Sequence, residues 1–147
     1  MSCSPVAVDA SNRLRLEAIA FKVTGLSCAT KTGIRQYEAF FGTAPIHCAI
    51  IWYELEKSGC FNHAPAAVKP VHLLMGLHFL KAYNREERNA VLFLCTEKTF
   101  RQWAWYIVKC IANLDKVMVR ICYCVLFVID VVCYLFCVDD VCDHVFV

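Results

Sequence analysis

Apolar residues recur at intervals of three and four along most of the chain before residue 115, and that period predicts helices. The first spans Asn12 to Val23, with Leu16, Ile19 and Val23 as its inner stripe and Asp9 or Ser11 near its start. "TGLSCATKTG" then reads as a loop, punctuated by Gly25, Ser27 and Gly33. A second helix fits Ile34 to Phe41 and stops at Gly42. Thr43 suits the cap of a third helix, and Pro45 suits its first turn. That helix runs to Lys57 and is expected to bury Ile46, Ile50 and Leu55 or their neighbours. "SGCFNHAPAAVK" has linker composition, and Pro70 opens a helix to Tyr83 with Leu73, Leu77 and Leu80 at helical spacing. Asn84 followed by Glu87 resembles a capping box, so a short helix is expected from Arg85 to Leu94. Thr96 then caps a helix to Leu114 whose inner stripe is Phe100, Trp103, Ile107 and Ile111.

The expected fold class is therefore all-α: a small helical bundle with one or two helix-turn-helix-like units, followed by an apolar C-terminal tail. Three segments follow: an N-terminal helix and loop (1–30), a helical module (31–120) and the tail (121–147). An internal echo is either two such units or a coincidence of capping and core residues. "FFGTAPIHCAIIW" (Phe40 to Trp52) overlays "FLCTEKTFRQWAW" (Phe93 to Trp105) with Phe, Thr and Trp in common. The outer faces differ. His47, Glu54 and Lys57 make a mixed set in the first copy, whereas Lys98, Arg101, Gln102, Trp105 and Lys109 in the second contain no carboxylate.

Charge sharpens that contrast. The net formal charge is +2, yet every Lys and Arg lies at or before Arg120. Residues 1–120 carry +6 and the tail, with four Asp and no cation, carries −4. A basic body admits an anionic partner. The chain has 11 cysteines, an odd number, and no apolar signal-peptide run at its start, so free thiols in a reducing compartment are expected. Cys60 and His63 have a ligand-like spacing but no second pair, and His72 and His78 lie off a common helix face. No metal site, cofactor or catalytic constellation is expected. G-x-S-x-G, P-loop and H-E-x-x-H patterns are all missing from the sequence.

"VKPVHLLMGLHFLKAYNREERNAVLFLCTEKTFRQWAWYIVKCIANLD" resembles the region that precedes the catalytic core in DDE-type, Harbinger-like transposases and proteins derived from them. Lys69, Pro70, His72, Leu73, Leu74, Leu80, Lys81 and Tyr83 match the family's first motif. Glu97, Lys98, Thr99, Phe100, Arg101 and Trp103 match the second. "FGTAPIHCAIIWYEL" resembles a third motif upstream. The resemblance implies a helical DNA-binding module, truncated before an RNase H-like nuclease domain that would hold two metal ions on three separated carboxylates. Double-stranded DNA is then the expected partner, Lys98, Arg101, Gln102, Trp105 and Lys109 the expected contacts, and the nucleus the expected location. No enzymatic activity is expected. Leu94 departs from the pattern, since the turn before the last helix often has Gly there.

The tail "ICYCVLFVIDVVCYLFCVDDVCDHVFV" draws on only eight residue types and has no turn residues, as a shifted frame or unspliced intron would give. Residues 121–138 offer an alternative, a C-terminal membrane anchor with the body on the cytosolic side. Val, Leu, Ile and Phe there contribute roughly −0.3 to −0.6 kcal/mol each, against about +3 for Asp130. An aggregation-prone strand is the third reading. Asp130, Asp139, Asp140 and Asp143 lie too close in sequence to form a nuclease triad, and "CVDDVCDH" lacks the turns to gather ligands.

Overall fold

The structure is a computed structural model that describes residues 10–82 and 85–114. These form an all-α bundle: α1 (Ala10–Thr24), α2 (Lys31–Phe41), α3 (Pro45–Ser58), a 3-10 turn (Cys60–His63), α4 (Pro70–Ala82), α5 (Glu86–Leu92) and α6 (Glu97–Asn113). The tail, with its suggested membrane span, strand and metal ligands, lies outside the described residues, as do Asp9, Tyr83 and Asn84. Among the described residues no helix is long and apolar enough to cross a membrane.

α4 is the central element. Of its residues from Pro70 to Leu80 all but Val71 are buried, because α6, α2, α1 and α3 all pack against it. The expected leucine stripe is inside, but so is the rest of the helix. A helix apolar all round belongs in a core rather than at its edge. Gly76 sets how closely α6 approaches. A Cβ placed there would lie 2.6 Å from Cγ2 and 3.0 Å from Cβ of the fully buried Ile107.

The helix ends follow local chemistry. Gly42 stops α2 in the left-handed conformation (φ 81°), and its N–H donates to the Glu38 carbonyl. α2 begins three residues earlier than expected. Thr30 caps it through a hydrogen bond from the Gly33 N–H (3.1 Å), and Gly33 is helical. A side chain at Gly33 would collide with the Ser27 carbonyl, so this glycine admits the loop against the helix instead of breaking it. In α1, Leu16 and Ala20 are fully buried, with Ile19 and Val23 packed at the core's edge.

α3 corrects two expectations. Thr43 does not cap it: Ala44 holds the cap position, and the Thr43 hydroxyl is buried without a hydrogen-bond partner. Ile46 is exposed and Ile50 half-buried, while Cys48, Ala49, Ile51, Trp52 and Leu55 face inward. The helix starts later relative to its Thr than α6 does, and each residue of offset rotates the face by about 100°. The supposed linker is also part of the fold. Phe61 packs on Trp52 (centroids 5.1 Å apart), and Cys60, Ala64 and Val68 lie against the core.

Candidate nucleic-acid interface

α5, a short turn and α6 build the candidate surface. Thr96 caps α6 by accepting from the Thr99 N–H at 3.2 Å. Phe100, Trp103, Ala104, Ile107, Val108, Cys110 and Ile111 turn one side of α6 into the core. The inward stripe is therefore as expected, and its burial fixes what faces out. Lys98, Arg101, Gln102 and Lys109 are exposed along the opposite side.

The turn reaches this geometry through Leu94. Its φ is +52°, the left-handed region that glycine occupies without steric cost, and its side chain is 91% exposed. The departure expected at this position thus leaves the glycine-type backbone in place. Leu94 adopts it, and the Leu94 and Cys95 amides donate to the Val91 and Ala90 carbonyls.

The stripe is not free of carboxylates. Arg101 Nε donates to Glu86 Oε2 at 2.6 Å, and Nη2 pairs with the same oxygen. This ion pair holds the Arg101 pKa above its ordinary value. Glu86 belongs to the first turn of α5, and no helical spacing within α6 could have revealed it. Only the shortness of the turn, which folds α5 back beside the start of α6, hints at the pairing. The side chains of Lys98, Gln102 and Lys109 make no hydrogen bond or ion pair with another described residue. Trp105 is half-buried in the middle of the stripe, its ring tilted against Phe79 of α4 at 5.3 Å between centroids. Packing on α4 claims part of that indole, and the remainder faces outward between the cations.

The two buried histidines of α4 serve the core. His72 stacks on Trp103 (3.8 Å, 9°), and its Nδ1 accepts from the Lys69 N–H at 3.1 Å. Burial, then the Lys69 charge, lowers its pKa to about 4. His78 stacks on Phe40 (4.2 Å, 14°) and donates from Nδ1 to the Phe40 carbonyl at 3.0 Å. Burial lowers its pKa as well. Both rings are thus neutral aromatic packing elements.

An open groove of about 430 Å³ lies elsewhere, between α1 and the α1–α2 loop. Leu14, Phe21 and Ile34 give it exposed apolar walls, and the Arg13–Glu17 ion pair lies at its side. Its one thiol, Cys28, has a raised pKa, first through burial and then through Glu17, so it is a poor nucleophile there. Among the described residues no group of three His, Cys, Asp or Glu side chains could hold a metal ion. No family model, no curated protein and no solved structure matches this chain.

Proposed function

We propose that this chain is a non-catalytic DNA-binding module of the kind that precedes the nuclease in DDE-type transposases, acting in the nucleus on double-stranded DNA. It rests on one observation: α6 follows α5 across a tight turn and presents Lys98, Arg101, Gln102 and Lys109 on a single exposed side. A recognition helix needs such a face, with its first turns near base edges and the rest along the backbone. Lys98 and Arg101 lie in the first two turns of α6, where the helix N-terminus also favours phosphate. Lys109 lies two turns further on and meets backbone only. Trp105 supplies an apolar surface between them.

Fluorescence anisotropy over a salt series tests this, using a site selected from random duplexes. Loss of one phosphate contact flattens the slope of log affinity against log salt by about 0.9. Lys109→Ala is expected to do that and to weaken all duplexes alike. Arg101→Ala is expected to cost about 1–3 kcal/mol at one base pair and to narrow the gap between preferred and random sequence. A wild-type chain that binds no duplex at low salt, or two variants that bind like wild type, would leave the stripe merely solvated.

A further inference from the structure

Among the described cations of the α6 stripe, Arg101 alone is held by another side chain. Glu86 takes the Nε–Nη2 edge of the guanidinium with a single carboxylate oxygen, Oε2. The outer edge, formed by Nη1 and the second hydrogen of Nη2, keeps two parallel donors. That edge has the shape that guanine O6 and N7 accept side by side. The pair is a surface feature, with the Arg101 side chain 57% exposed and the Glu86 side chain 25% exposed. Surface pairs add little to stability, so fold maintenance does not account for this one. A free arginine loses rotamer freedom when it docks, whereas an arginine already held by one edge loses less.

We infer that Glu86 is a positioning residue that aims the outer edge of Arg101 at a base, and so sets sequence preference without touching DNA itself. This rests on the DNA-binding reading of α6. Elementary electrostatics makes the opposite demand of a bystander. A carboxylate beside phosphates repels them, and its removal should tighten binding to every duplex equally. The sign of the effect on the preferred site therefore separates the two roles.

The experiment uses the full chain and compares the selected duplex with random duplexes by anisotropy. The variants are Glu86→Ala, Glu86→Gln, Arg101→Ala and Glu86→Ala combined with Arg101→Ala. Glu86→Ala is expected to lower the preferred-to-random affinity ratio by about tenfold, within the range of one lost base contact, with the loss confined to one base pair. Glu86→Gln keeps an accepting oxygen and is expected to fall between wild type and Glu86→Ala. The double variant is expected to discriminate no worse than Arg101→Ala alone, because Glu86 acts through Arg101. Circular dichroism is expected to match wild type throughout. If Glu86→Ala instead tightens preferred and random duplexes by the same factor while Arg101→Ala still narrows the gap, Glu86 has no positioning role and the DNA-binding reading survives. If the wild-type chain binds no duplex, both fall together.

Discussion

Thr43 and Thr96 coincide when the two halves of the internal echo are overlaid, yet they should respond to substitution in opposite directions. The Thr96 hydroxyl accepts the Thr99 N–H and satisfies one of the unpaired donors at the start of α6. Thr96→Ala is expected to cost about 1 kcal/mol in urea unfolding. The Thr43 hydroxyl is buried without a partner, and such a group costs about 1–3 kcal/mol. Thr43→Val keeps its shape and removes the polar atom, so the urea midpoint should rise. A fall at position 43 would mean that the hydroxyl is satisfied in solution. Leu94 is a second residue whose backbone decides the outcome. At φ +52° a Cβ is strained by about 1–2 kcal/mol, partly offset by the entropy glycine brings to the unfolded chain. Leu94→Gly should stabilise by roughly 0.5–1 kcal/mol. An unchanged or lower midpoint would show that the turn relaxes away from this conformation.

Between elements, the decisive contact is α4 against α6. Both helices are long enough to bury two or three turns on each other, and Gly76 lets their axes come close. Alanine is the better helix former by up to about 1 kcal/mol, which taken alone would stabilise α4. Its Cβ, however, would press on the Ile107 Cβ and Cγ2, atoms with no flexible end to move aside. Overpacking of this kind costs about 1–3 kcal/mol, so Gly76→Ala should be net destabilising by about 1 kcal/mol or more. Gly76→Ala combined with Ile107→Ala should be less damaging than the sum of the two. Strict additivity would show that the helices are not in contact there. The echo also resolves at this scale. Aligned by their first residues, the two helices set Pro45 against Glu97, one residue off the overlay that pairs the threonines. In that register Cys48, Ile51, Trp52 and Leu55 match Phe100, Trp103, Ala104 and Ile107, all of them buried. Trp52 therefore lies in the core, whereas Trp105, one position further round, emerges on the outer stripe.

For the whole molecule, the two buried histidines tie stability to pH. In the unfolded chain a histidine takes its proton near 6.5, whereas folded His72 resists protonation until about pH 4. Stability is then full above pH 6.5 and falls as pH drops towards 4, where the contribution levels off. One such group gives a slope approaching about 1.4 kcal/mol per pH unit, and His78 acts in the same direction. Urea midpoints at pH 7.5, 6, 5 and 4.5, followed by tryptophan fluorescence, should decline across this window. His72→Gln should lower the midpoint at neutral pH but flatten the decline. A midpoint independent of pH between 7 and 5 would mean that folded His72 takes its proton at the same pH as in the unfolded chain, and a midpoint that rises as pH falls would mean that it stays protonated against Trp103.

Most of the helices were legible because each must bury an apolar side, and burial leaves a period of three or four in the chain. The cap at Thr96, the stop at Gly42 and the inner stripe of α6 are local consequences of the same kind, settled within a few residues by backbone hydrogen bonding. What lay between elements was not legible. α4 shows no polar side because neighbours surround it, and Thr43 fails as a cap because α3 begins one residue later. The stripe on α6 could be named residue by residue from Lys98 to Lys109, since the buried side of a helix dictates its outer side. Its carboxylate could not. Glu86 meets Arg101 only because a four-residue turn with a left-handed Leu94 folds α5 against α6, and a contact made through a turn depends on dihedral angles that no side-chain period records.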